Sequence, residues 1–182
     1  MVRLLLCIGL PGSGKTTFLD RITMLTDRFS PDDLLIDPVT KKYHWSPERL
    51  SHAWQESYRR FGRALTHFHG VAHQELLAWD GTFTTVMSRS AIINIARGAD
   101  CQVDALYFNT APFICRRRND ARPEERRVPV DYMDRFETQF QPPTKHEGFH
   151  NVIEVKPQTA HLALAEIIEW VELPLLKGAR GA

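Results

Sequence analysis

Apolar positions fall along the chain in two rhythms. Residues 3–9 form a short apolar run ending in Gly-x-Pro-Gly, which predicts a strand covered on both faces. The segment 14–26 changes to helical spacing, with Phe18, Leu19, Ile22 and Leu25 on one side. A second short strand is expected over 34–36. Ser46-Pro47-Glu48 places a capping hydroxyl before a proline at the first helical position, which marks a helix start. From there Leu50, Trp54, Phe61 and Leu65 recur at helical spacing and predict one long amphipathic helix. Residues 75–79 read as a buried strand closed by Asp80-Gly81, and 88–97 as a helix with Gly98 as its C-cap. Then follow a strand over 103–108, a helix over 112–120 and a polar, arginine-rich loop over 122–127. A helix over 130–140 carries Met133, Phe136 and Phe140 in register, before a last strand at 152–155 and a last helix at 159–173.

Strands alternating with helices imply an α/β fold, a mainly parallel sheet of about five strands covered on both faces. Ligands in such sheets bind at the carboxyl ends of the strands, where the glycine loop, Asp80-Gly81 and Asn109 are expected. The 182 residues suit one domain with its own core. Residues 178–182 read as a frayed small-residue tail.

Composition changes this picture little. Charged residues make up 25% and hydrophobic ones 43%, and the formal net charge is +1, so no class of partner is singled out. Cys7, Cys101 and Cys115 are far apart and show no CxxC spacing, which points to reduced thiols in or near the core of a cytoplasmic protein. The eight histidines show no paired ligand spacing. The apolar run at 2–10 is too short to span a bilayer and leads straight into the glycine loop.

That loop, Gly9-Leu10-Pro11-Gly12-Ser13-Gly14-Lys15-Thr16, carries the chemistry. Glycines let backbone N–H groups point at phosphate oxygens with no Cβ in the way, and the following helix start favours an anion. Gly12, Ser13, Gly14, Lys15, Thr16 and Thr17 are therefore expected to bind a nucleotide. Lys15 would reach its β- and γ-phosphates, and Thr16 would hold Mg²⁺. No NKxD-like base-specificity element of a GTPase is present. A small domain with a basic lid suits transfer of a phosphoryl group to an alcohol, which needs a carboxylate base. Asp32 or Asp33, ahead of the expected second strand, is the candidate base. Asp80 is placed to orient Mg²⁺ or to meet the acceptor. Arg116, Arg117, Arg118, Arg122, Arg126 and Arg127 put six arginines within twelve residues. Three in succession spread over about 200° of a helix, so the loop arginines are the ones able to cover the nucleotide. Lys41, Lys42, Tyr43 and Trp45 form a second basic-aromatic cluster, in which Trp45 either stacks on a base or staples the helix that follows.

The chain resembles the kinase domain of the bacteriophage-type polynucleotide 5′-hydroxyl kinases, within the AAA_33-like P-loop kinases. The resemblance is carried by residues 8–16, Asp32-Asp33, Asp80-Gly81-Thr82, Arg118-Asn119-Asp120-Ala121-Arg122 and Val128-Pro129-Val130-Asp131. It implies a P-loop kinase sandwich with an arginine-rich lid over about 118–130, and Mg²⁺ with ATP or another triphosphate as donor. It matches Asp32 to the general base, Arg122 to the lid arginine acting on the transferring phosphate and Arg118 to a lid-base arginine. On the acceptor side stand Asp32, Asp33 and Asp80, and Arg89 is added to them. The implied acceptor is a hydroxyl of DNA or RNA, the 5′-OH or that of a hydroxymethyluracil base, with a nucleoside, sugar or antibiotic as the alternative, and the expected location is the cytoplasm, that of a host cell if the chain is phage-encoded. One departure is Leu35, where that family carries a basic residue that grips the acceptor phosphate.

Overall fold

The computed structural model describes residues 2–69, 75–156 and 158–178. The expected tail at 178–182 lies outside the described residues except for Gly178, the last residue of the final helix.

Five parallel strands form one sheet. They are β1 (Val2–Ile8), β2 (Asp27–Phe29), β3 (Glu75–Asp80), β4 (Gln102–Phe108) and β5 (Asn151–Val155), in the order β2-β3-β1-β4-β5. Every residue of β1 is buried, because alternate side chains feed two different cores. Val2, Leu4, Leu6 and Ile8 join Phe61, Leu65, Trp79, Ile92 and Ile93, from α2 (Pro47–Phe68), β3 and α3 (Val86–Gly98). Leu5 and Cys7 join Phe18, Leu19 and Ile167, from α1 (Lys15–Leu19) and α6 (Ala160–Gly178) on the other face. The period-2 alternation of a strand thus builds a three-layer sandwich. A third cluster of Leu10, Cys115 and Met133 joins the glycine loop to α4 (Pro112–Asp120) and α5 (Val130–Thr138). Cys7, Cys101 and Cys115 are buried free thiols.

From β1 the chain crosses to the edge strand β2, returns to β3 beside β1, and then passes to β4 and β5 on the other side of β1. The carboxyl end of β1 is therefore the switch point of the sheet, where a crevice opens. Cys7 of β1 is in register with Asp80, and the Gly9 N–H donates to the Thr82 carbonyl at 3.2 Å. The glycine loop and the end of β3 are therefore fixed side by side. At the opposite end of the sheet Arg3 pairs with the buried Asp104 at 2.6 Å, and Asn151 donates to the same carboxylate at 2.9 Å.

Several boundaries differ from the sequence pattern. The second strand is residues 27–29, whose single buried residue is Phe29. The apolar run at 34–36 is no strand. Asp32–Leu35 forms a 3-10 turn that buries Leu35, and Ile36 makes one isolated bridge to Tyr43. A short, polar edge strand carries little hydrophobic signal, so the more apolar neighbour drew the assignment. The correction moves Asp32 and Asp33 from the start of a strand to the carboxyl side of β2. The first helix ends at Leu19 and turns onward with tighter bonds such as Ile22 N–H to Leu19 carbonyl, while Ile22 stays buried. The helix expected over 88–97 begins at Val86, capped by Thr85 in a reciprocal box with Ser88. Gly98 is its last helical residue, and the left-handed position that follows belongs to Asp100. The start of α2 is as expected, with Ser46 accepting from the Arg49 N–H.

Candidate active site

The crevice at the switch point is a cleft of about 1610 Å³. Its floor is the glycine loop. Gly12 and Gly14 adopt φ of 83° and 103°, and a Cβ on Gly12 would stand 2.5 Å from the Cys115 carbonyl oxygen. Glycine is required there on both counts. Thr110 Oγ1 donates to the Ser13 carbonyl at 3.0 Å and Arg118 Nη1 to the Gly12 carbonyl at 3.1 Å, so β4 and α4 hold the loop in shape. Lys15 is buried. Its Nζ donates to the carbonyls of Gly9 (2.9 Å) and Leu10 (2.8 Å) and lies 3.3 Å from Ser13 Oγ. Burial lowers the pKa of this ammonium, and the nearby Asp80 carboxylate offsets part of that.

Thr16 Oγ1 donates to Asp80 Oδ2 at 2.8 Å. The same oxygen accepts from Arg28 Nη2, whose other arm, Nη1, reaches Asp20 Oδ1 at 2.8 Å. Thr17 also lines the cleft.

Asp32 lines the cleft beside this group, its side chain open to the cleft while surrounding protein encloses it on the other sides. That enclosure raises its pKa above the usual 3.8. Asp80 and Asp33 push the same way, and Lys15 and Arg122 push down. The Tyr43 hydroxyl stands 3.5 Å from Asp32 Oδ1. Burial and this carboxylate push the phenol up to about 12, so it remains a donor. Asp33 is exposed and outside the cleft lining, with its N–H turned to Ser30 Oγ at 3.3 Å.

Arg118, Arg122, Arg126 and Arg127 line the cleft, whereas Arg116 ties α4 to α5 through Asp134 and Glu137. The connection between those helices contains a 3-10 turn at Glu124–Arg126. The Asn119 side chain clamps its base, donating to the Val128 carbonyl at 2.8 Å and accepting from the Val128 N–H at 2.9 Å. The outer wall is aromatic, with Trp45, Trp54, Tyr58 and Tyr132. Trp45 meets Tyr132 edge to face at 6.2 Å, and the Arg126 guanidinium lies 5.8 Å from the Tyr43 ring.

Arg89, expected at the acceptor, is not in the cleft. It is fully buried, donating to Glu147 with two nitrogens (2.6 and 2.9 Å) and to the carbonyls of Phe83 and Gln141 with the third. Arg28, by contrast, is not among the residues the sequence pattern singles out. Its role depends on where β2 lies, and that strand is nearly silent in the apolar pattern.

The residues present suit a metal–nucleoside triphosphate. The loop offers backbone N–H groups, the Lys15 ammonium rests, among the described residues, on loop oxygens alone, and Thr16 and Asp80 offer hard oxygens of the kind Mg²⁺ takes.

The AAA_33 family profile, described as an AAA domain, matches residues 4–143. The fold is similar to that of Kti12 from Chaetomium thermophilum in complex with ADP-AlF3, at 14% identity and a TM-score of 0.61, covering 92% of this chain and 98% of that one. It is also similar to a putative kinase from Chloroflexus aurantiacus, at 15% identity, a TM-score of 0.63 and 97% coverage of both chains. A third similar structure is the Mycobacterium tuberculosis APS kinase CysC in complex with AMPPNP and APS, at 15% identity and a TM-score of 0.55, covering 93% of this chain and 97% of that one. No curated protein matches the sequence. With a five-stranded parallel sheet, a glycine loop at its switch point and a family match over most of its length, the chain belongs to the AAA_33 family of P-loop domains, with the fold of P-loop kinases.

Proposed function

We propose that the chain is an ATP-dependent kinase that transfers the γ-phosphate to a hydroxyl of a nucleic acid. One observation carries this reading: Lys15, Asp32 and Arg122 line the same cleft, so phosphate cradle, base and counter-cation address one reaction volume. The Asp32 carboxylate takes the proton of the acceptor hydroxyl as its oxygen bonds to the γ-phosphorus and the bond to the β–γ bridging oxygen breaks. Lys15 and Arg122 neutralise charge on the transferring group. Thr16 and Asp80 would hold Mg²⁺, which neutralises phosphate charge when bound. The arginine-rich segment over about 118–130 acts as the lid that excludes water. The aromatic wall, with Arg49 and Arg126 beside it, offers rings on which a base would stack, and this supports a nucleic-acid acceptor.

A second reading, a compact small-molecule acceptor, is favoured by the contacts of Arg126 with Tyr43 and of Trp45 with Tyr132. These join the two walls of the cleft and narrow its mouth. Transfer of label from γ-labelled ATP to 5′-hydroxyl oligonucleotides, hydroxymethyluracil-containing duplex and a nucleoside–sugar panel decides between them. Label on a polynucleotide is the expected result. Label confined to the small molecules establishes the second reading, and no label in any arm overturns both.

A further inference from the structure

Arg28 has no task in the reaction as proposed, yet it grips the carboxylate on which metal binding depends. Asp80 Oδ2 receives two donors, Thr16 Oγ1 at 2.8 Å and Arg28 Nη2 at 2.5 Å. The Arg28 side chain keeps 23% of its exposure, between Asp80 at 8% and Asp20 at 60%. Its guanidinium is thus suspended between one carboxylate inside the phosphate cradle and another in solvent. Its Nε is buried and has no partner among the described residues. A guanidinium is charged at every working pH and cannot leave by losing a proton. It therefore opposes any second cation arriving at the same oxygen.

Taking the cleft as a Mg²⁺–nucleotide site, as proposed above, we infer that Arg28 is a competing counter-cation that sets the metal affinity of that site. It satisfies Asp80 while the cradle is empty. When the metal arrives with its nucleotide, the guanidinium yields Oδ2 and falls back on Asp20. Asp80 then never stands as a bare carboxylate beside Thr16, and a free divalent ion without phosphates competes poorly for it. A purely structural ion pair gives the opposite sign. Removing Arg28 would then loosen Asp80 and weaken metal binding.

The test counts bound Mn²⁺ from the electron paramagnetic resonance signal of the free ion, with and without AMPPNP. It uses the full chain as wild type, R28Q, R28K and D20N. Counter-cation competition predicts that R28Q binds Mn²⁺ about tenfold more tightly, the scale of one unit charge removed from beside the ligand. R28K, which keeps the charge, stays near wild type. D20N strips the fallback position and weakens binding about threefold, the smaller effect of a solvent-exposed partner. Binding by R28Q that equals or falls below wild type overturns the inference. Should R28Q fail to give a cooperative melt, R28K and D20N decide together: R28K near wild type with weaker binding by D20N upholds the inference, and R28K that binds weakly or D20N that binds like wild type overturns it. If wild type with AMPPNP takes up no Mn²⁺, the metal–nucleotide reading itself falls and this inference with it. Normal wild-type uptake that R28Q leaves unchanged removes Arg28's role alone.

Discussion

At the scale of single residues, the cleft sets charges against burial. Lys15 is held inside the loop by three oxygens, and its ammonium is less stable there than in water. Lys15→Ala is expected to lower phosphoryl transfer by about 10²–10³-fold, the usual cost of losing one preorganised charge donor, as read from single-turnover rates. Asp32 has two measurable signatures. Its folded pKa is raised above 3.8, so the acid limb of a kcat/KM profile should bend above that value, and a bend at or below it would count against Asp32 as the base. The stability sign follows from the same shift. Between 3.8 and the raised pKa the folded state binds more protons than the unfolded one, so folding stability falls as pH rises through that window. Asp32→Asn should therefore abolish transfer while raising Tm at pH 7, and the gain should vanish in melts below pH 3.8.

At the scale of elements, the arginine arm is a loop whose two ends are tied by one side chain. Asn119 makes both its bonds to the backbone of Val128, across nine residues. Asn119→Ala unties that base, and on the proposed role of Arg122 this should place its guanidinium at the phosphate less often. The expected result is a several-fold drop in kcat together with a loss of about 1–3 kcal/mol of unfolding free energy, because the Val128 N–H and carbonyl lose their buried partner, checked by steady-state kinetics beside urea melts. The start of α2 rests on Ser46, and Ser46→Ala should cost about 1 kcal/mol of unfolding free energy. Such local devices were legible in the sequence. The Ser-Pro-Glu cap, the glycine loop and the Asp80-Gly81 strand end are contiguous signals whose physics spans a few residues. What stayed hidden depends on distant partners or on quiet elements. Arg28 and Asp80 are 52 residues apart, and Arg89 and Glu147 are 58 apart. An arginine's burial cannot be read from its neighbours in the chain. Strand β2 has one buried apolar residue, so the Leu34-Leu35-Ile36 run outweighed it until the sheet was assembled.

At the scale of the whole molecule, the sheet separates two cores and places every cleft group at one end of its strands. The core beneath α2 packs Phe61 at zero exposure against Phe29 and Trp79. Phe61→Ala should cost about 3–5 kcal/mol and lower Tm by roughly 10 °C in a domain of this size, measured by calorimetry. One of the buried ion pairs of the fold crosses a boundary that sequence comparison draws elsewhere. The family match stops at residue 143, yet the carboxylate that answers Arg89 is Glu147, and β5 follows it. A gene fragment cut at the family boundary would strand a guanidinium inside an apolar wall, at about 3–5 kcal/mol for the lost partner alone. Anyone grafting this domain onto another protein, or recombining it with a relative, must carry the exchange past β5 and through Ile167 of α6, which closes the second core.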